Sequence, residues 1–137
     1  MRSPLRQEPK PLTLDEIKLM EVAGSITAEV LRMLEGYVKP GKTTSELNKI
    51  AEDYILSKNA VPTFKGYLGY PFTLCTSVDE CVVHGFPNDV PLVEGQILSI
   101  DCGSTYQGFV GDSAVTYAVG DVSEEKKKLM KVTEESL

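Results

Sequence analysis

The chain has 137 residues, a formal net charge of −6, 42% apolar and 25% charged residues. That is the composition of a single soluble globular domain, and its acidic balance, with no basic stripe to neutralise phosphates, excludes nucleic acid as the main partner. No apolar run approaches the roughly 20 residues needed to cross a bilayer. The first residues, with Arg2, Arg6, Pro4, Pro9 and Pro11, do not form a secretory signal. Three cysteines without a C-x-x-C pair read as reduced thiols in the cytoplasm.

Residues 1–12 read as a flexible lead-in, and 13–137 as one domain. Thr13-Leu14-Asp15-Glu16 is a capping box that opens a helix. Ile17, Met20, Gly24, Thr27, Leu31 and Leu34 form one small or apolar stripe, and Val22, Ile26, Val30 and Met33 a second, so this helix is expected to be broadly buried up to a stop near Gly36 and Pro40-Gly41. A second capping box, Thr43-Thr44-Ser45-Glu46, opens a helix with the single stripe Leu47, Ile50, Ala51, Tyr54 and Ile55, ending near Asn59.

From Ala60 to Gly120 glycine, proline and β-branched residues dominate. Leu74 to Val78, Cys81 to His84, Gln96 to Tyr106 and Phe109 to Val119 read as strands, the last two joined by a tight Gln107-Gly108 turn. Ser123 caps a final helix through Leu129, Met130 and Val132. Its Lys126-Lys127-Lys128 run reads as a solvated face. No Gly, Asn or Pro stops this helix before Leu137, which reads as a chain cut at 137. The fold class is α+β: an antiparallel-rich sheet with two N-terminal helices packed on it.

The sharpest chemical feature is Asp101 and Asp112 on the two arms of one hairpin. With a two-residue loop, Tyr106 faces Phe109, Gly103 faces Asp112 and Asp101 faces Ala114. The two acids then project from one side as diagonal neighbours, their α-carbons roughly 7–8 Å apart. A three-residue loop would send them to opposite faces. Ile97, Leu98, Ile100, Val110, Ala114 and Val115 suggest a largely buried sheet, where unpaired carboxylates are costly. On the residues alone, a metal pair and a structural role in capping, a turn or a salt bridge stand about equal. Oxygen donors of this kind suit Mn, Fe, Co, Zn or Mg without choosing among them.

His84 is the only histidine. Taken alone, a histidine after two valines is more often a satisfied core or strand-end residue than a functional one. Gly85-Phe86-Pro87 forces a turn directly after it, at a strand end from which a side chain can reach a substrate.

Lys39-Pro40-Gly41-x-Thr43-Thr44-x-Glu46-Leu47, Thr63-Phe64-Lys65-Gly66-Tyr67, Tyr70-Pro71 and Cys75-Thr76-Ser77-Val78-Asp79-Glu80 follow in order. So do His84-Gly85-Phe86-Pro87, Glu94-Gly95-x-Ile97, Ile100-Asp101-Cys102-Gly103 and Gly108-Phe109-x-Gly111-Asp112-Ser113. Their order and spacing resemble the type I methionine aminopeptidases over nearly the whole chain from Leu12, and more distantly the aminopeptidase P and prolidase relatives. The resemblance implies the N-terminal half of a pita-bread (creatinase/aminopeptidase) metallopeptidase fold. The full-length enzyme would remove the initiator methionine from nascent proteins, with nascent N-termini, at the ribosome, as partners.

The resemblance also implies two divalent metal ions, Co, Mn, Fe or Zn. Asp101 would bind one and Asp112 would bridge both, while His84 would contact the substrate as a catalytic residue and not as a ligand. Tyr67, Tyr70 and Cys75, with Phe64 nearby, match a methionine side-chain pocket; the plainer reading of these aromatics is core packing. Cys81 and Cys102 read as structural. Asp79 stands where Asn is common and Phe86 where Ile is common. In the resembled family a second half supplies a histidine and two glutamate ligands and a further catalytic histidine. None of these is present, so the chain alone is expected to be inactive and to need a complementing C-terminal half. The alternative is a non-catalytic binding protein on the same fold.

Overall fold

A computed structural model describes residues 9–137. Most of the lead-in read over residues 1–12 therefore lies outside the described residues, and residues 9–12 carry neither helix nor strand. The elements are α1 (Leu14–Glu35), α2 (Thr44–Ser57), β1 (Val61–Pro62), β2 (Leu74–Val78), β3 (Ile97–Tyr106), β4 (Phe109–Ala118) and α3 (Glu124–Glu135), with a 3-10 turn at Tyr67–Gly69.

Both capping boxes form. Thr13 N–H donates to Glu16 Oε2 at 2.7 Å and Thr43 N–H to Glu46 Oε2 at 2.8 Å, while each threonine hydroxyl accepts from its glutamate's backbone N–H. Two of the four orphan donors at each helix start are thereby satisfied. Ser123 caps α3 by the hydroxyl alone, which accepts Lys126 N–H at 3.3 Å.

β3 is the centre of a four-stranded antiparallel sheet. β4 pairs along its whole length on one side; on the other, β2 takes Leu98 to Cys102 and β1 takes Ser104 and Thr105. Side chains alternate, so Leu98, Ile100 and Cys102 point to one face and are wholly buried. There they meet Ile26, Val30 and Leu34 of α1 and Leu47, Ala51 and Ile55 of α2. The other face carries Asp101.

α1 approaches β4 very closely. A Cβ at Gly111 would lie 2.5 Å from Gly24 N and 2.6 Å from Ala23 C and O, so only glycine permits this contact. Thr27 Oγ1 donates to Gly111 O at 3.0 Å, and Tyr117 OH to Leu31 O at 2.6 Å.

Three expectations are corrected. α1 is buried from Ala23 onward only: Ile17, Met20 and Val22 remain about 40% exposed, because the first turns project beyond the sheet. Cys81 to His84 is not a strand. The chain leaves the sheet at Asp79, which has φ 48° and whose Oδ1 accepts Ile97 N–H at 3.0 Å, so Val82 and Val83 stay exposed with no strand to join. The sheet is buried on one face rather than both. On the acid-bearing face Val110 is 42% exposed, Ala114 is exposed and Ile97 is half-buried. On the helix side Val115, opposite Ile100 on the edge strand β4, is also 41% exposed.

Candidate metal centre

The β3–β4 hairpin turns through Gln107 and Gly108 with φ of 45° and 85°. Positive φ at both central residues is the two-residue turn whose twist matches the flanking strands. Tyr106 pairs with Phe109, Gly103 with Asp112 and Asp101 with Ala114. Asp101 and Asp112 therefore share one face, on the side away from α1.

Asp101 is half-buried, and its Oδ1 is fully buried with no hydrogen-bond partner. Burial, followed by the Asp112 carboxylate within hydrogen-bonding reach, pushes its pKa up to about 6. The imidazole of His84 acts in the opposite direction, which places it in the same electrostatic neighbourhood. An acceptor oxygen with nothing to accept from, beside a second carboxylate, calls for a cation or a proton.

His84 adopts a left-handed backbone, φ 60°, rare for a residue with a Cβ. The following glycine fixes it there. Gly85 O accepts Thr76 N–H at 2.8 Å and Gly85 N–H donates to Ser77 Oγ at 3.1 Å, so Gly85 is docked on the edge of β2 where no side chain would fit. His84 is thus held at the end of an exposed loop rather than at a strand end. With Asp101, Cys75, Ser77 and Val83 it lines a cleft of about 780 Å³, whose far wall includes Leu129 and Met130 of α3.

The aromatic residues divide. Gly103 is bare on the acid-bearing face, and the Phe64 ring fills the space: a Cβ at Gly103 would meet it at 2.8 Å. Tyr70 OH donates to Leu74 O at 2.8 Å, within hydrogen-bonding reach of the Cys75 thiol, and Cys75 pairs directly with Asp101 across the sheet. Burial pushes both the Tyr70 phenol and the Cys75 thiol up. Phe64, Tyr70 and Cys75 therefore lie beside the acids. Tyr67 does not join them as a packed wall; it is 69% exposed at the tip of the 3-10 turn.

Phe72 escapes the sequence reading of the pocket, and Phe86 enters it only as a departure beside the site. Phe72 and Phe86 make edge-to-face contacts with Tyr70 at 5.9 and 5.2 Å and with each other at 5.5 Å. The alternation Tyr70-x-Phe72 was the available signal. Asp79 is tied to Lys126 at 2.8 Å, and Lys126 also donates to Gly95 O at 2.7 Å, which fastens α3 to the rim of the cleft.

A sequence model described as metallopeptidase family M24 matches residues 18–137. The chain belongs to metallopeptidase family M24. This M24 chain is 51% identical over 122 residues to a methionine aminopeptidase of Clostridium acetobutylicum, covering 88% of the chain and 49% of that relative. It superposes on the crystal structure of methionine aminopeptidase from Rickettsia prowazekii with a TM-score of 0.90 at 40% identity, covering 92% of this chain and 51% of that one. For methionine aminopeptidase from Thermotoga maritima the TM-score is 0.89 at 42% identity, over 90% and 50% of the two chains. The chain thus spans about half the length of the curated relatives it matches. The fold is accordingly a partial pita-bread fold, helices on an antiparallel, incompletely closed sheet.

Among the described residues no group of three or more His, Cys, Asp or Glu side chains is arranged to hold a metal ion. What this M24 chain offers is two hard oxygen donors on one face, one with an orphaned buried atom. That fits part of a divalent-metal donor set but does not complete one.

Proposed function

We propose that this chain supplies the aspartate-and-histidine side of a dinuclear metalloaminopeptidase centre that removes the initiator methionine from nascent proteins. The observation carrying this reading is the unpaired Asp101 Oδ1 beside Asp112, in a cleft that His84 also lines. The identity of 51% to a methionine aminopeptidase supports the choice of substrate.

Asp101 and Asp112 would hold the metal ions, with Co, Mn, Fe and Zn all compatible with carboxylate donors. When bound, such ions supply Lewis acidity for peptide hydrolysis, activating water and polarising the scissile carbonyl. His84 donates a hydrogen bond to the substrate or to the oxyanion that develops at the scissile carbon. Tyr70, Cys75 and Phe64 wall an apolar pocket for an unbranched thioether, since sulfur packs well against aromatic rings. The remaining ligands come from residues beyond these 137, on a longer chain or on a complementing C-terminal half. A non-catalytic binding protein would have no use for Asp101, Asp112 and His84 together.

Two arms test the reading. The purified chain, assayed on a methionyl-alanyl peptide with added Co or Mn, should release no methionine. Completed by the C-terminal half of the Clostridium acetobutylicum relative, it should release methionine when the second residue is small. Turnover by the chain alone at the rate of a full-length enzyme, or a completed protein with no preference for methionine, would overturn it.

A further inference from the structure

The segment that carries Phe64, Tyr67 and Tyr70 is an irregular loop between β1 and β2, and side chains of α2 hold it at both ends. Near its start, Lys65 Nζ donates to Glu52 Oε1 at 2.6 Å. At its end, the wholly buried Thr73 donates its hydroxyl to the other oxygen of the same carboxylate, Glu52 Oε2, at 3.0 Å. Asn48 lies four residues earlier, on the same face of the helix. Its Oδ1 accepts two consecutive backbone N–H groups, Thr73 at 3.0 Å and Leu74 at 2.9 Å. Leu74 opens β2 and its carbonyl accepts the Tyr70 hydroxyl; the next residue is Cys75. α2 itself is anchored by Leu47, Ala51 and Ile55, each wholly buried.

We propose that Asn48 and Glu52 are positioning residues: from one face of α2 they clamp both ends of the loop from Phe64 to Thr73 and so hold Tyr70 beside Cys75, across the sheet from Asp101. This deepens the methionine-pocket reading of Tyr70 and Cys75, on which it rests. Neither clamp residue touches the acids. Their effect passes through the loop, whose own backbone hydrogen bonds are short-range turns, Gly66 N–H to Tyr70 O at 2.7 Å and Tyr67 N–H to Phe64 O at 3.0 Å. Its tip at Tyr67 and Leu68 is exposed, so the two ends are where it is fastened to the body of the fold. One carboxylate that binds both a lysine from the loop's start and a threonine from its end couples the two ends. Opening the loop at either end strands a charged group that is only partly exposed.

The three cysteines provide the measurement. Cys81 is exposed, Cys75 is 7% exposed beside Tyr70, and Cys102 is wholly buried on the helix-facing side of β3. Alkylation by iodoacetamide, followed by peptide mapping, therefore reads solvent access, opening of the pocket loop and global unfolding in one molecule. In Glu52→Ala and Asn48→Ala, Cys75 should be alkylated about tenfold faster at unchanged pH, while Cys102 changes less than about twofold. Asn48→Asp, which keeps the acceptor oxygen, should restore the Cys75 rate to within about threefold of the parent. If Cys75 and Cys102 accelerate together, the two residues serve general stability and the clamp is overturned. An unchanged Cys75 rate overturns it equally. The readout is thiol chemistry, so such a failure leaves the peptidase reading intact. Loss of methionine preference in the completed enzyme would instead remove that reading and leave the clamp standing.

Discussion

Gly103 stands directly across the β3–β4 ladder from Asp112. Because Gly103 has no side chain, the space above it is filled by the Phe64 ring, 2.8 Å from where a Cβ would stand, and by Thr63 Cβ at 3.0 Å. Gly103→Ala would force the ring or the strand to move by several tenths of an ångström. Overpacking of this kind costs about 1–3 kcal/mol. Urea unfolding should show a loss in that range, and Phe64→Leu, which shortens the obstructing side chain, should recover part of it.

The opposite face makes a stricter demand. At Gly111 the obstruction is backbone of α1, which cannot rotate away. Gly111→Ala should therefore cost more than Gly103→Ala, about 3 kcal/mol or above, or prevent α1 from docking. Comparing the two variants by denaturant midpoint at constant m-value checks the order.

Asp101 links stability to pH. Its folded pKa of about 6 lies above the ordinary value of 3.8, so between these values the folded chain binds more protons than the unfolded one. The contribution is fully favourable below about pH 4 and is lost as pH rises to about 6. Since the carboxyl is partly exposed and screened, a loss on the order of 1 kcal/mol is expected across this window rather than the full value of the shift. Asp101→Asn should remove this contribution. Glu16, Glu29, Glu46, Glu52 and Asp79 are shifted down and work in the opposite direction, so the parent must be compared with Asp101→Asn by chemical unfolding at closely spaced pH values. A parent-minus-variant difference that does not fall between about pH 4 and 6 would contradict the burial of Oδ1.

Metal should act above the same window. With only Asp101 and Asp112 as paired donors on one face of the sheet, Mn or Co should bind weakly at pH 7, and the binding should disappear in Asp101→Ala. Isothermal titration at pH 5 and pH 7 should give tighter binding at the higher pH, where Asp101 has lost its proton. Equal affinity at both would place the ion elsewhere.

His84 carries backbone strain. A left-handed residue with a Cβ costs on the order of 1 kcal/mol. Asn tolerates that region, so His84→Asn should be as stable as the parent or slightly more so, whereas His84→Ala keeps the strain without gain. Thermal unfolding separates the two. In a completed enzyme both variants should lose turnover.

Much of this could be read directly from residue order. Thr13–Glu16 and Thr43–Glu46 are local signals, and their helices start where the chemistry places them. The Gln107-Gly108 loop determines the hairpin register, and the shared face of Asp101 and Asp112 follows by counting. The Val82-Val83 pair misled because two apolar β-branched residues resemble a strand. Whether they form one depends on a partner edge, and the left-handed Asp79 turns the chain away from it. The Lys65–Glu52–Thr73 and Lys126–Asp79 links join residues 13 to 47 positions apart, and nothing in local composition reports such pairings. The resemblance groups Tyr67 with Tyr70, whereas the reversal at Gly66 and Leu68, with φ of 88° and 49°, leaves Tyr67 exposed, and a left-handed Leu68 has no signal in the local residues.

The two-residue turn at Gln107-Gly108 also bears on how the chain folds. A hairpin of this kind closes in about 1–10 µs, far ahead of the long-range docking of helices. The two acids are therefore brought together early, while water still screens their repulsion, and the cost of burying Asp101 Oδ1 arises only when the rest of the fold packs around the ribbon. A divalent cation present at that stage would relieve the repulsion and favour the correct ribbon.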